Sequence, residues 1–549
     1  VQTGWQISWW IVSTLVETPV SRIEGVRQTL FGEDHRPHPL VLVAGSVAIV
    51  AGVALRFWAP TALWLDETLS VNISRLPVTQ IPGALAHDGS PPLYYVMLHL
   101  WMLVVGQGDF AVRALSGITS VLTLPIFWFA GRRLGGRTVA WVTFFLALTS
   151  PFAINYATTT RMYSLMIMLS LLGYLAVARA FETPSRRRLV ELGLVTAALL
   201  YTHYWGLYLI LVAGLWVVWR MRTTGRGAPV LRAMVFGSLL WLPWFPIFVF
   251  QTLHTGTPWT TSAGPGDLLT VFADYSGNGP WGELLMFATF GLFLLGTFGR
   301  TAVPGTMVAV QDSAGGTQHV PAGPAVVLEL KPRPGMAPLV GVAVGTLAVA
   351  VVLGALANAA FVARYTAVVL PLFILVVSTG VAIMPGRRFK AGCMSVLCLA
   401  GLLTGHGENG AQRTQAVQVA AVLNTQAQPG DVVVYCPDQL GPAVDRLLTV
   451  KGLDQLTFPR AAAPERVNWV DYKKVISRTD VSQFAQTALS RVPAGHTMWL
   501  VWRDGYPGFG GDCGYLKSWM DLLRNPGVTL VRQDGGTYYE FENLTRYSQ

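Results

Sequence analysis

Charge is scarce in this chain. Of 549 residues only 12% are Asp, Glu, Lys or Arg, against 52% hydrophobic residues, and the mean hydropathy is +0.46. That scarcity excludes a string of soluble domains and leaves a polytopic membrane protein. Cysteine is scarcer still, at four residues, and no Cys/His cluster has zinc-ligand spacing, so a structural zinc module is excluded. No secretory leader is expected from these residues either. The apolar stretch from Trp5 to Val16 has no basic flank and no small-residue cleavage site, and no initiator Met stands before it. It reads as an interfacial helix or an irregular start. The formal charge of +10 would suggest nucleic acid in a soluble protein. Here the basic residues fall in short clusters between apolar runs, a pattern of membrane topology, and no nucleic-acid partner is expected.

What is present in abundance is long apolar sequence. Runs of roughly 17 to 24 such residues mark membrane spans. Candidates are 39–58, 109–131, 138–154, 162–181, 189–204, 205–219, 230–250, 284–301, 337–357, 365–384 and 391–405, about eleven in all. Alternate connections collect the positive charge: Arg132, Arg133 and Arg137; Arg186 to Arg188; Arg220, Arg222 and Arg226; Arg300, Lys331 and Arg333; Arg387, Arg388 and Lys390. The other connections hold Asp66, Glu67, Asp88, His203, His254, Asp267, Asp274 and Glu283. By the positive-inside rule the first set is cytoplasmic. The expected organisation is a cytoplasmic segment 1–38, a membrane domain 39–405 and a soluble extracytoplasmic domain 406–549. Within the membrane domain, 59–108 is an outer loop and 303–336 a cytoplasmic one, either irregular or forming a hairpin from MVAVQD and AVVLEL. Residues 91–105 are too short for a span and read as a helix along the outer membrane surface, entered through Pro91 and Pro92.

After residue 405 the composition becomes that of a small α/β unit. Residues 408–426 have helical periodicity, Asp431–Tyr435 and His496–Arg503 read as strands, and Val528–Gln533 with Thr537–Glu542 flank Asp-Gly-Gly as a hairpin. Cys436 and Cys513 fall in this unit, where an oxidising compartment permits a bridge; two buried thiols are the alternative. Cys393 and Cys398 read as fillers in the last span. No helix signal follows the glycine-rich stretch 505–514, which weakens a phosphate-cradle reading. The Trp-rich segment 241–259 reads as an aromatic belt.

The polar residues that this topology places at the outer surface come from five parts of the chain: Asp66, Glu67 and Asp88; Arg113; Asn155 to Arg161 with Tyr163; His203 and Tyr204; Arg364 and Tyr365. Acids at a bilayer boundary are costly and mark chemistry or transport. Arginine is always charged, planar and bidentate, and so suits a phosphate. A carboxylate beside it can take a proton from a hydroxyl. The combination fits a substrate with an apolar tail, a phosphate and a reacting headgroup.

Several short motifs occur in a fixed order. They are Leu65-Asp66-Glu67, DGSPPLYY from Asp88 to Tyr95, RALS from Arg113, GRRLGGR from Gly131, Ser150-Pro151-Phe152, Arg161-Met162-Tyr163, YTHY from Tyr201, and Arg364-Tyr365. Over roughly residues 40–400 the chain resembles the GT-C glycosyltransferases related to protein O-mannosyltransferases and the aminoarabinose transferase of lipid A. Its tail resembles the extracytoplasmic domain of actinobacterial members. Two departures stand out: Thr158-Thr159-Thr160 where many relatives have Gln-Glu-Ala, and Ser90 before Pro-Pro where many have His, with His87 displaced.

The resemblance implies a multi-pass plasma-membrane enzyme, mostly α, whose GT-C domain is followed by a small α/β domain. It implies inverting transfer of a sugar from a polyprenyl-phosphate donor, with mannose ahead of arabinose. The acceptor would be an envelope glycan or glycolipid such as lipoarabinomannan. Asp66 maps onto the catalytic acid position, with Glu67 and Asp88 beside it. Arg161 and Arg364 map onto arginines near the donor phosphate, supported by Tyr163, Tyr365 and Arg113. His203 and Tyr204 are candidates on the acceptor side. Relatives differ in metal use, so a divalent cation (Mg, Mn or Ca) stays open, with Asp66, Glu67 and Asp88 as its candidate ligands. The alternatives are a protein O-mannosyltransferase, a transporter or flippase of lipid-linked sugar, and an envelope scaffold working through its tail.

Overall fold

The apolar runs fold as helices. The computed structural model describes residues 39–256, 263–301, 307–311, 317–321, 326–333, 335–356 and 361–548. The expected interfacial stretch within 1–38 lies outside the described residues.

Helix α1 (Pro39–Leu55) leads through an extended turn to α2 (Leu65–Ser74), α3 (Ile81–Ala86) and α4 (Leu93–Val105). Helix α4 has only 13 residues and packs against α2 and the start of α5 (Asp109–Thr149), as expected of a segment that does not cross. The 41 residues of α5 are two helices, because Gly135 and Gly136 leave helical geometry, Gly136 at φ +78°, a region glycine enters without strain. Then follow α6 (Pro151–Ala157), α7 (Tyr163–Glu182), α8 (Arg186–Thr202), α9 (Trp205–Thr224), α10 (Ala228–Leu239), α11 (Phe245–His254), α12 (Asp267–Ser276) and α13 (Gly279–Phe298). Short strands β1 (Gly299–Thr301), β2 (Met307–Gln311), β3 (Thr317–Pro321) and β4 (Val326–Leu328) precede α14 (Met336–Leu356), α15 (Leu370–Ile383) and α16 (Arg387–Gly410). Among the described residues seven helical stretches are long and apolar enough to cross a membrane. The break in α5 divides one of them, and α1, α8 and α15 carry the remaining expected spans. The chain is a multi-pass membrane protein.

Helix α15 is the buried axis of the bundle, with nearly every residue from Leu370 to Val381 out of contact with the surroundings. It approaches α13 through glycine: a Cβ on Gly380 would stand 2.1 Å from the Leu292 carbonyl, and one on Gly296 would stand 2.2 Å from that of Val376. Arg56 is another packing device. It is 1% exposed and donates to the carbonyls of Gly52, Ala147 and Leu148 and to Ser120 Oγ at 2.6–3.0 Å. Its guanidinium thus satisfies the last carbonyls of α5, which have no helical partner of their own.

Beyond α16 come β5 (Gln412–Thr414), α17 (Ala416–Gln426), β6 (Val432–Cys436), α18 (Gly441–Leu447), β7 (Asp454–Thr457), α19 (Tyr472–Arg478), α20 (Val481–Ser490), β8 (Met498–Trp502), α21 (Asp512–Arg524), β9 (Val528–Val531), β10 (Tyr538–Glu540) and β11 (Asn543–Tyr547). A five-stranded sheet runs β7-β6-β8-β11-β9, parallel across its first three strands. Alternate side chains of β6 and β8 face opposite helical layers, α17 and α18 on one side and α19 to α21 on the other. Leu65 and Leu69 of α2 join the second of these cores, which seats the domain on that helix. Cys436 and Cys513 form a disulfide joining the end of β6 to the start of α21. Cys393 and Cys398 are free.

Five expectations need correction. The 408–426 stretch is not one helix, since α16 ends at Gly410 and β5 intervenes before α17. The Asp-Gly-Gly hairpin does not form: β9 pairs antiparallel with β11, while β10 pairs parallel with β5. Asp534 instead accepts from the Gly536 and Thr537 amides, a local turn that carries the chain away from β9. Strand β2 pairs with β3 rather than with the AVVLEL strand, which pairs with β1. A helix, α21, does follow the glycine-rich stretch, its apolar face hidden behind polar spacing. Trp241 and Trp244 are 5% and 4% exposed, so they belong to the packed interior and not to a surface belt.

Candidate active site

Helix α2 starts from Trp64 in an extended conformation, with Asp66 and Glu67 in its first turn, where carboxylates suit the positive end of the helix dipole. Neighbouring residues on a helix project about 100° apart. That angle separates the two acids. Asp66 faces a cavity, and Glu67 turns into the protein.

Glu67 is fully buried. One oxygen accepts from Arg113 Nε (2.9 Å) and the Thr160 amide (2.9 Å), and the other from Arg113 Nη2 (2.7 Å) and Arg413 Nη1 (3.5 Å). Arg113 also donates to the carbonyls of Ala59, Thr61 and Ala62, which fixes the turn ahead of α2. Arg413, on β5, donates to Thr158 O (2.9 Å), Thr158 Oγ1 (2.8 Å) and Asn155 Oδ1 (3.2 Å). Burial by itself would raise the Glu67 pKa; the two guanidiniums and the amide overcome it and hold the carboxyl below its ordinary range. This network ties four parts of the chain together immediately beside Arg161.

The cavity, about 260 Å³, is lined by Asp66, Asp88, Arg161, His203, Tyr204, Arg364 and Tyr365, together with Trp469 of the C-terminal domain and Ala350 and Gly354 of α14. Asp66 Oδ2 lies 3.4 Å from Arg364 Nη2. Arg161 Nη1 donates to Ser70 Oγ and Tyr95 Oη, each at 3.2 Å, and reaches the Asp66 carbonyl at 3.5 Å. Tyr95 Oη donates in turn to Asp88 Oδ2 at 3.1 Å. Burial raises the Asp88 pKa above the usual carboxylate range, against the opposing pull of Arg161 and Tyr95. His203 packs on Tyr365 with ring centroids 4.8 Å apart, and its Nδ1 accepts from the Trp205 amide at 3.2 Å, which leaves Nε2 to carry the proton. Tyr204 is held by Gln251 and by Trp244 Nε1 at 2.9 Å, and Gln251 also donates to Leu85 O at 2.7 Å.

Several buried polar atoms at this site have no hydrogen-bond partner among the described residues: Arg161 Nε, Arg364 Nε, Tyr163 Oη and Asp66 Oδ2. Buried donors are nearly always satisfied, so a concentration of unsatisfied ones marks a place built for something else.

The structure therefore gathers Asp66, Asp88, Arg161, His203, Tyr204, Arg364 and Tyr365 at one cavity. It separates from them Glu67 and Arg113, which neutralise each other in the interior, and Tyr163, which is buried behind them and does not line the cavity. Asp66 and Asp88 share the cavity, whereas Glu67 is turned away from it toward Arg113 and the Thr160 amide. Among the described residues no group of three or more His, Cys, Asp or Glu side chains is placed to hold a metal ion.

Sequence reasoning missed Tyr95, Arg413, Trp469 and the β10 residues beside Asp66. Tyr95 was within a quoted motif and had only its spacing of seven from Asp88 to signal it. Arg413 carried no signal, lying in an apparently helical stretch. Trp64 meets Tyr539 edge-on at 5.4 Å, and Glu540 is buried next to Leu65.

Comparison with known proteins bears on this arrangement. The crystal structure of ArnT from Cupriavidus metallidurans in the apo state is similar at TM-score 0.58 and 12% identity, over 92% of this chain and 97% of that one. The same protein bound to undecaprenyl phosphate is similar at TM-score 0.54 and 12% identity, over 92% and 98%. This chain has the GT-C fold. A family model described as dolichyl-phosphate-mannose-protein mannosyltransferase matches residues 89–247, the part of the GT-C domain from the Asp88 turn through α10. No curated protein sequence matches the chain.

Proposed function

We propose that the chain is an inverting glycosyltransferase that moves a sugar from a polyprenyl phosphate to a hydroxyl of an envelope glycan or glycolipid, on the outer face of the plasma membrane. The observation that carries this reading is the cavity in which Asp66 meets Arg364 while Arg161 and Arg364 keep unused buried donors. Two guanidiniums with spare N–H groups suit the phosphodiester of a lipid-linked sugar and the monoester it leaves behind. Ala350 and Gly354, on an apolar helix, make the wall by which a prenyl chain reaches them.

In the proposed step the acceptor hydroxyl attacks the anomeric carbon as Asp66 takes its proton. The bond from that carbon to the phosphate oxygen breaks, and the electron pair leaves with the polyprenyl phosphate. Arg161 and Arg364 stabilise the charge that grows on the departing oxygen, a contribution often worth several kcal/mol. One displacement inverts the anomeric centre. Tyr95 couples Asp88 to Arg161 and so orients the guanidinium. The segregation of acids from basic clusters supports placing this cavity on the outer face.

Mannose is favoured as the sugar, and arabinose comes next. A protein hydroxyl is the second acceptor reading, supported by the description of the matching family. Purified protein incubated with a mannose oligosaccharide acceptor and, separately, polyprenyl-phosphate mannose or polyprenyl-phosphate arabinose should release polyprenyl phosphate from one of the donors. Asp66→Asn should lower that rate by about 10²-fold or more. Full activity in Asp66→Asn rules out the assigned base, and release from neither donor refutes the transferase reading.

A further inference from the structure

A second cavity, about 440 Å³, lies between the outer loop and the C-terminal domain. One wall comes from α2, α3 and the residues that follow, including Gly83, His87 and Asp88. The other is the segment from Ala462 to Asn468. It shares Leu69 and Asp88 with the cavity that holds Asp66, so the two spaces adjoin at Asp88. The outer wall is fixed in place. Asn72 Nδ2 donates to the Glu465 carbonyl at 2.7 Å, and the Trp469 amide donates to the His87 carbonyl at 3.0 Å. Trp469 then turns inward and lines the reaction cavity itself.

We propose that this cleft is the acceptor subsite and that it takes a hydroxyl-rich glycan chain of little net charge; the inference rests on the transferase reading above. Gly83, Ala84, Ala462 and Ala463 keep the passage wide. Its polar groups are mixed: Asp88 and Glu465 are acidic, Arg466 is basic, and Asn468 and His87 both donate and accept. Sugar hydroxyls match such a lining because they also do both. A strongly anionic acceptor would meet two carboxylates there against one guanidinium. The Ala462–Asn468 wall is coil apart from one isolated bridge at Ala462, so it presents no strand edge on which a peptide backbone could pair. Donor and acceptor then approach Asp66 from different sides, the lipid along α14 and the glycan past Asp88.

Ala463 is exposed, so Ala463→Trp fills the cleft without touching the core of its domain. Arg466→Ala removes one polar contact with little change in volume. The assay uses full-length protein, the polyprenyl-phosphate sugar that supports transfer, and mannose oligosaccharides of graded length. The KM for the longer oligosaccharides should rise by about tenfold or more in Ala463→Trp and less in Arg466→Ala. The donor KM should not change. Equal acceptor KM in wild type and both variants overturns the proposal, as does transfer to a serine-containing peptide in preference to the oligosaccharides. Saturation-transfer NMR on the solubilised full chain reads oligosaccharide binding without any chemistry. Binding present in wild type and lost in Ala463→Trp is expected; binding absent from wild type, or equal in both proteins, overturns the cleft assignment. Wild type that binds the oligosaccharide but transfers nothing leaves the cleft standing and refutes the transferase reading alone.

Discussion

Removing the Glu67 carboxylate should unfold the site from within, although this acid never meets the cavity. In Glu67→Ala, Arg113 loses contacts of 2.7 and 2.9 Å, Arg413 loses one of 3.5 Å, and the Thr160 amide loses its acceptor. Breaking a buried ion pair on one side costs roughly 3–5 kcal/mol, because the remaining charge cannot regain water. Each arginine keeps further acceptors, three backbone carbonyls for Arg113 and groups of Thr158 and Asn155 for Arg413. That places the cost toward the lower end, about 3 kcal/mol. Glu67→Gln keeps one oxygen but turns an N–H₂ toward a guanidinium, and should cost about 2 kcal/mol. Denaturation of the solubilised protein measures both, and donor binding reports on the displaced Thr160–Arg161 turn. Wild-type stability in Glu67→Ala, with sugar transfer abolished, would refute the reasoning, since Glu67 would then be a reacting group and not an interior counter-charge.

Two further outcomes concern the C-terminal domain. Replacing Cys436 and Cys513 by Ser removes a link across a separation of 77 residues and should cost roughly 4 kcal/mol by the chain-entropy estimate; equal denaturation midpoints with and without the bridge would contradict it. Burial pushes Glu540 up to about 8 from 4.5, and the nearby charge of Asp66 adds to the shift. A carboxyl raised in the folded state stabilises it fully below the unfolded value and progressively less as pH rises toward the folded one. Domain stability should therefore fall between about pH 4.5 and 8, and Glu540→Gln should flatten that slope; an unchanged slope would show that Glu540 is not the group responsible.

The sequence alone determined that the chain is a multi-pass helical protein with an α/β tail, because apolar runs of membrane length and segregated charge leave little else a chain can do in a bilayer. It also singled out Asp66, Arg161 and Arg364, since acid and arginine at that boundary are too costly to keep without a use. It could not separate Asp66 from Glu67. Adjacent carboxylates look alike in a sequence, and only the angle between neighbours on α2, together with what packs behind that helix, sends one to the cavity and the other to Arg113.

Strand pairing was equally out of reach. The β9 and β10 segments flank a strong turn, yet each finds its partner elsewhere, β9 in β11 and β10 in β5, because burial of the sheet outweighs local turn preference. The same long-range folding carries Arg413 to Glu67 from 346 residues away and seats the C-terminal domain on α2. Composition and periodicity record what each segment prefers by itself. Which segments meet is decided by the packing of the whole chain.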